Sequence, residues 1–287
     1  MAWFNQSKKV SAHATIAEQL ADLLTDGVNL SIDELIPYQN KSALVNLAPK
    51  QQLHGQMSGN YLARSKGRGM EFDEVRHYQT GDDIRSIDWR VTARTGITHT
   101  KIFKEEVERP VIIATDLNHT MYFGSQLLFK SVQAAHLAAL LAWHAKNRGD
   151  RVGGIVFNEQ NHVELKPRSR QQGVLHYLHS LCQLHQSGNH LTDKTQALSA
   201  FEQNCARIRQ ISKPGSLVYL ITDGYQLNEQ CIRHLALTSQ HCELVVCLIS
   251  DPLEHQLPSN SKPATVAVTD GYSEQTLTLG DKKSALE

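Results

Sequence analysis

Three residues with oxygen-bearing side chains, Asp116, Asn118 and Thr120, follow the apolar run V-I-I-A over 111–114 at alternate positions. A short β-branched run that ends in a polar group is typical of a buried parallel strand, and open α/β sheets bind ligands at the carboxyl ends of such strands. Hard oxygens that meet at one point suit Mg²⁺ or Ca²⁺. Alternatively, Asp116 caps the following helix while the other two residues make the turn. The triplet alone leaves both interpretations open.

A fourth candidate, Asp223, stands just beyond a second apolar run, L-V-Y-L-I over 217–221. Because parallel strands end at one edge of a sheet, Asp223 and Asp116 are expected to face each other across a switch point. Between them in the chain, Thr192 lies in a loop ahead of a predicted helix, where its hydroxyl could add another oxygen. Thr195 could serve instead, or cap that helix. The two strand ends and this loop form the candidate site.

The elements that position these residues are short strands alternating with amphipathic helices. Strands are predicted over 97–103, 111–115, 151–157, 217–221, 244–249 and 264–268. Helices are predicted over 126–148, 171–185, 194–211 and 227–239. Strands and helices that alternate in this way indicate right-handed crossovers. The predicted fold class is therefore α/β, with a doubly wound, mostly parallel sheet.

The first 109 residues differ from this alternating part. We assign 1–60 to an N-terminal helical extension, with an amphipathic helix within 11–35. The segment 61–109 holds ten Lys or Arg and nine Asp or Glu among its 49 residues. Such density is typical of surface ion-pair networks, but the apolar residues threaded through it, Trp89 among them, predict a charge-paired scaffold packed on the sheet with Trp89 buried. Residues 110–287 are the third domain.

The bulk composition excludes several classes of function. Lys+Arg and Asp+Glu both number 29, so no overall basic field is present to bind nucleic acid. Five cysteines without a C-x-x-C pair argue against a disulfide framework and a zinc ribbon. No long apolar run predicts membrane insertion, and no Walker-type motif predicts ATP hydrolysis. A cytoplasmic protein is expected.

The spaced oxygen set resembles the metal-ion-dependent adhesion site of the von Willebrand factor A fold, a Rossmann-type fold. That pattern is D-x-S-x-S on one loop, a threonine on a second loop, and an aspartate in a strand that ends T-D-G. The residues of this chain at those places are Asp116, Asn118, Thr120, Thr192 and Asp223. The resemblance implies that they bind Mg²⁺, with Mn²⁺ or Ca²⁺ as alternatives, and that the site docks proteins.

One departure from that pattern concerns the two serines, which are replaced by Asn118 and Thr120. Both replacements can still offer an oxygen to a hard cation. The longer amide of Asn118 could bind the cation through water, or hydrogen-bond the neighbouring loop instead. His119, between them, is predicted to point away from the site and to make its surroundings mildly pH-sensitive.

A longer resemblance runs through the charged segment and beyond it. The stretch over 67–95 reads G-R-G-M-E-F-D-E-V-R-H-Y-Q-T-G-D-D-I-R-S-I-D-W-R-V-T-A-R-T, and D-P-L-E-H-Q-L-P follows over 251–258. Both resemble the bacterial family called domain of unknown function 58. Members of that family are commonly encoded beside MoxR-type AAA+ ATPases, which implies such an ATPase as a partner.

Two functions from different classes are compatible with these patterns. The first is an intracellular adaptor that docks a MoxR-type AAA+ ATPase through a metal at Asp116 and Asp223, in assembly or chaperone-like processes. The second is a metal-dependent phosphatase-like enzyme, since D-x-N-x-T also resembles the D-x-D-x-T of haloacid-dehalogenase-type phosphatases, with Asp116 as nucleophile. That chemistry needs a general acid where Asn118 stands, and an amide cannot exchange protons. We expect the adaptor rather than an enzyme.

Overall fold

The computed structural model of the chain describes residues 16–42, 70–105, 108–187, 194–255, 264–269 and 274–279. The chain divides into two compact units. One unit contains Met1–Pro49 and Arg109–Glu287, and the other contains Lys50–Glu108.

Helices and strands alternate over most of the described chain. The helices are α1 (Ile16–Leu23), α2 (Ile32–Leu35), α3 (Tyr38–Lys41), α4 (Trp89–Thr95), α5 (Lys130–Asn147), α6 (Arg170–Gln186), α7 (Lys194–Ile211), α8 (Glu229–Ser239) and α9 (Pro252–His255). The strands are β1 (Met70–His77), β2 (His99–Glu105), β3 (Pro110–Asp116), β4 (Arg151–Phe157), β5 (His162–Arg168), β6 (Leu217–Thr222), β7 (Glu243–Leu248), β8 (Ala264–Thr269) and β9 (Glu274–Leu279). Within the described ranges, no helix combines the length and apolarity needed to cross a lipid bilayer.

The larger unit is built on a five-stranded sheet with the order β5-β4-β3-β6-β7. Strand β3 pairs in parallel with β4 and β6, and β6 pairs in parallel with β7. Only β5 runs antiparallel to its neighbour β4 in this sheet. The prediction of an α/β fold with a mostly parallel sheet is confirmed.

Strand β5 was absent from the sequence-based prediction, and its composition explains why. Its seven residues, H-V-E-L-K-P-R, include four that are charged or histidine, and only Leu165 among them is buried. A strand at the edge of a sheet does not have to be buried on both faces, and it tolerates charged residues and proline. The pattern therefore lacks the apolar run that identified the central strands.

Helices cover both faces of the sheet. Alternate residues of β3 enter different cores, because successive side chains of a strand point to opposite faces. Val111 and Ile113 pack in the core that contains α5 and α6, whereas Ile112 and Ala114 pack in the core that contains α7 and α8. The centre of the sheet is thus buried on both sides, which accounts for the continuous apolar run before Asp116.

The contact between β3 and β4 depends on a glycine. Gly154 has φ +157°, and a Cβ atom at this position would lie 1.9 Å from the Ile113 carbonyl oxygen. Any larger residue would push the two strands apart. The close approach maintains the register in which Asp116 pairs with Phe157 at the carboxyl ends of the strands.

The helices α2 and α3 of the N-terminal extension pack on α5. Leu30 and Leu35 are fully buried in the same core as the α5 side chains. The Trp143 Nε1–H group of α5 donates a hydrogen bond of 3.1 Å to the Leu35 carbonyl oxygen. The Tyr38 hydroxyl lies 2.9 Å from His136 Nδ1, also on α5. These residues form part of the core of the larger unit.

The smaller unit contains the antiparallel pair β1–β2, with α4 between the two strands in the chain. The segment was predicted to be charge-paired, and two ion pairs lie within it, Arg76 with Asp82 at 2.7 Å and Lys101 with Asp88 at 3.6 Å. The prediction that Trp89 is buried is wrong, because its side chain is 67% exposed. Asp88 caps α4 by accepting two backbone N–H groups, and this cap makes Trp89 the first residue of a short helix with an exposed ring.

Candidate functional site

The four parallel strands of the sheet each end near an acidic residue. Asp116 ends β3, Glu159 follows β4, Asp223 follows β6 and Glu254 lies beyond β7. Parallel strands end at the same edge, so the fold gathers four carboxyl groups there. Asp116 and Glu159 are buried, and the Asp223 side chain is only 2% exposed. Buried acidic groups so close together need protons or cations to balance their charge.

Asp116 lies at the centre of this edge. Its Oδ1 accepts the Asn118 backbone N–H at 2.9 Å, and its Oδ2 accepts the Thr222 hydroxyl at 2.7 Å. Burial and the charge of Asp223 raise the pKa of Asp116 to about 7, although the hydrogen bonds from Thr222 and Asn118 act in the opposite direction. The hydrogen bond from Asn118 shows that Asp116 makes the turn after β3 instead of capping a helix. Its raised pKa means that its carboxyl group titrates near neutral pH.

Two oxygens on this turn lack hydrogen-bond partners among the described residues. They are Asn118 Oδ1 and Thr120 Oγ1, and both atoms are buried. The amide nitrogen of Asn118 does have a partner, since it donates to Gln226 Oε1 at 2.6 Å. A buried oxygen without a partner costs roughly 1–3 kcal/mol. A hard cation or a water molecule at these oxygens would offset that cost.

His119 is buried and contacts a second acid of the cluster. Its ring Nδ1 is paired with Glu159 Oε1, and Gln226 Nε2 donates to the same oxygen at 3.5 Å. Gln226 thus joins Asn118 to Glu159 and so links the loops that follow β3, β4 and β6. His119 pairs with an acid on this edge, a contact that the sequence did not predict.

Asp223 is held by a lysine. Its Oδ1 accepts the Tyr225 backbone N–H at 3.1 Å, and its Oδ2 accepts Lys130 Nζ at 3.0 Å. The same ammonium group donates to Glu254 Oε1 at 2.5 Å, and the Lys130 side chain is only 3% exposed. Burial alone would lower the pKa of Lys130, but the two carboxylates outweigh burial and leave it raised. Lys130 is therefore a buried cation shared by two acids.

The segment that carries Glu254 is fixed by a second acid. Asp251 accepts the backbone N–H and the hydroxyl of Ser125 at 2.8 and 2.6 Å. The Asp251 backbone N–H in turn donates to Glu254 Oε2 at 2.9 Å. Burial would raise the pKa of Asp251, but the hydrogen bonds from Ser125 outweigh it and lower the pKa. These bonds attach α9 to the loop that precedes α5.

Residues 74–286 match the model of the family described as "Protein of unknown function DUF58". The chain belongs to this family. Its description states no activity, so a function for this DUF58 protein has to be argued from the site.

Relatives of this DUF58 protein extend the comparison without adding an activity. Uncharacterized proteins of Mycobacterium bovis and Mycobacterium tuberculosis are 31% identical to it over 128 residues. This match covers 45% of the chain and 40% of the relatives' own length. The match thus spans about two-fifths of the length of these curated relatives.

Two solved structures from Bacteroides species are also similar. An aerotolerance-related membrane protein from Bacteroides fragilis, with multiple mutations to serines, has a TM-score of 0.38 and 18% identity, over 61% of this chain and 78% of that chain. The conserved hypothetical protein BatB from Bacteroides thetaiotaomicron has a TM-score of 0.33 and 16% identity, over 59% of this chain and 79% of that chain.

The structure brings most of the predicted site residues to one edge of the sheet. Those residues are Asp116, Asn118, Thr120 and Asp223, whereas Thr192 lies outside the described residues. No group of three or more His, Cys, Asp or Glu in the described ranges is arranged to hold a metal ion. Any cation at this edge would therefore depend on amide and hydroxyl oxygens as well as carboxylates.

Sequence reasoning missed four residues of the site, namely Lys130, Glu159, Gln226 and Glu254. One signal was present for Lys130, which is a basic residue in the first turn of a largely apolar helix. A positive charge is unfavourable there because the helix dipole is positive at the N-terminus. Such a conflict with a local rule often marks a functional site.

Proposed function

We propose that this DUF58 protein is a protein-binding module with a von Willebrand factor A-like fold and a divalent cation, Mg²⁺ in the first place, at the carboxyl edge of its sheet. The residues that would hold the cation are Asp116, Asn118, Thr120 and Asp223, together with Thr192, which precedes α7 in the sequence and lies outside the described residues. The observation that carries the proposal is the pair of buried oxygens without partners in the described chain, Asn118 Oδ1 and Thr120 Oγ1.

The chemistry of these groups suits a hard cation. Carboxylate, amide and hydroxyl oxygens are the ligands that Mg²⁺, Mn²⁺ and Ca²⁺ prefer. Burial, and after it the charge of Asp223, raise the pKa of Asp116, so both oppose a negative charge on this carboxyl group. A cation near both carboxylates would stabilise that charge. The residues of the turn therefore fit the implied metal in type and in charge.

The surroundings of the site suit a protein partner. Apolar side chains are exposed close to it in the chain, with Phe123 at 42% and Tyr225 at 67% exposure. Exposed aromatic residues are enriched in protein interfaces. When bound, the cation would supply an open coordination position for an acidic side chain of the partner. Thr222 and Gln226 orient Asp116 and Asn118 through their hydrogen bonds.

The partner we propose is a MoxR-type AAA+ ATPase, because genes of the family commonly lie beside genes for such ATPases. A partner of this kind would contribute an Asp or Glu to the site. The two ligands, cation and acidic side chain, would then bind cooperatively, and removal of either would weaken the other.

The test is capture of the ATPase from a native lysate by the immobilised protein, with Mg²⁺ or with EDTA. We expect capture in Mg²⁺, loss in EDTA, and the same loss in Asp116→Asn. The matched control is Asp150→Asn, because Asp150 is also buried and accepts a backbone N–H, from Arg109, but lies at the amino end of β4. Capture that persists in EDTA and in Asp116→Asn would contradict the proposal.

A further inference from the structure

Lys130 is the first residue of α5, an 18-residue helix, and its side chain is buried at the positive end of the helix dipole. Burial and the dipole both disfavour an ammonium group there. Two carboxylates offset this cost, Asp223 Oδ2 at 3.0 Å and Glu254 Oε1 at 2.5 Å. Lys130 therefore occupies the position of a counter-cation beside Asp223.

We propose that Lys130 is a built-in counter-cation that competes with a divalent cation for Asp223 and thereby sets the cation affinity of the site. The inference rests on the proposed function for the place of the metal. Two cations on one carboxylate repel each other strongly at a distance of a few ångströms, and the surrounding protein screens this repulsion less than water does. A divalent cation that binds Asp223 must therefore displace Lys130 or tolerate its charge.

Glu254 has the opposite effect in this competition. Glu254 accepts a hydrogen bond from the same ammonium group. It lies on α9, which the bond between Ser125 and Asp251 attaches to the loop before α5. When a divalent cation binds Asp223, Glu254 can retain Lys130 and neutralise its charge. The negative charge of Glu254 thus helps to free Asp223 from Lys130 and favours cation binding, whereas the positive charge of Lys130 opposes cation binding.

These opposite effects separate the proposal from a purely structural role. If Lys130 only pinned α5 to the loops after β6 and β7, removing either charge would lower stability without a diverging effect on cation affinity. If Lys130 competes for Asp223, removal of the lysine charge must tighten cation binding, and removal of the Glu254 charge must weaken it. The sign of each change decides between the two roles.

The test is calorimetric titration of the whole chain with Mn²⁺, followed by Mg²⁺ competition, in wild type, Lys130→Met and Glu254→Gln. We expect Lys130→Met to bind Mn²⁺ about tenfold more tightly or better, since the competing charge is removed. Glu254→Gln should bind it several times more weakly. Thermal melts with and without Mn²⁺ identify any variant that fails to fold. If Lys130→Met fails to fold, the Mn²⁺ affinity of Glu254→Gln tests the proposal by itself.

Each variant has a matched control, which lies on the same helix for Lys130 and on a different element for Glu254. Lys146→Met removes a charge from the far end of α5, about 24 Å along the helix. Glu243→Gln breaks the ion pair with Arg109 at the opposite end of β7, and its side chain is 21% exposed, close to the 20% of Glu254. Neither control should change the Mn²⁺ affinity.

The outcomes distinguish this inference from the proposed function. Binding by Lys130→Met but not by wild type would support the inference and contradict a metal-dependent function of the unmodified protein. Equal binding by both would overturn the inference and leave the metal site intact. Shifts of both variants in the same direction, or no binding by any variant, would also overturn it.

Discussion

At Asp116 the protein holds a carboxyl group that favours its neutral form. Burial and the charge of Asp223 raise its pKa from the ordinary 3.8 to about 7. The native state therefore binds this proton more tightly than the unfolded chain does. The resulting contribution to stability is complete below about pH 4 and is lost as the pH rises towards 7.

A pH series of urea unfolding curves in EDTA tests this effect. Between about pH 5 and 7, the free energy of unfolding of the wild type should fall relative to Asp116→Asn by on the order of 1 kcal/mol per pH unit. The Asn118 N–H group can still donate to the oxygen of the asparagine, and the asparagine NH2 group can donate to Thr222 Oγ1, so the variant should fold. Parallel pH profiles for both proteins would show that Asp116 is not protonated in this range.

The same residue illustrates what a sequence reveals about a site. Asp116 and Asp223 were predictable because each directly follows an apolar strand, and the edge of a parallel sheet brings such positions together. Lys130 and Glu254 were not predictable as partners, because they lie 124 residues apart and meet only through tertiary packing. Local patterns identify which residues end strands, but they do not reveal which distant charges those residues pair with.

Among the elements, apolar periodicity predicted the central strands and the large helices well. Helix α5 starts at Lys130, later than the predicted start at 126, because the loop before it makes tertiary bonds such as that between Ser125 and Asp251. Strand β5 was missed, since its polar residues suit an edge. The exposure of Trp89 was also unpredictable, because an aromatic residue in a charged segment can lie in a core or on a surface.

The two tryptophans of α4 and α5 provide a test at the scale of the element. Trp89 is 67% exposed, so Trp89→Ala should change the free energy of unfolding by no more than about 0.5 kcal/mol. Trp143 is fully buried, so Trp143→Ala should cost about 3–5 kcal/mol. Urea unfolding followed by circular dichroism measures both. A large loss of stability in Trp89→Ala would mean that its ring is covered in solution.

For the molecule as a whole, the division into units does not follow the order of the chain. The unit built on the sheet includes residues 1–49 as well as 109–287, and the residues between them form the other unit. The N-terminal part is thus joined to the sheet unit by contacts distant in sequence. Leu35 shows this, because its side chain lies in the core that contains α5 and α6, and its carbonyl oxygen accepts a hydrogen bond from Trp143 Nε1–H.

We therefore expect the N-terminal part to unfold together with the sheet unit. Leu35→Ala should lower the free energy of unfolding by about 2–5 kcal/mol, because it leaves a cavity beside α5. The matched control is Leu24→Ala, since Leu24 is 61% exposed and its truncation should change stability by no more than about 0.5 kcal/mol. Urea unfolding of both variants, followed through the fluorescence of Trp143 in a Trp3→Phe, Trp89→Phe background, measures the effect. An unchanged Trp143 transition in Leu35→Ala would show that the N-terminal part contributes nothing to the stability of the sheet unit.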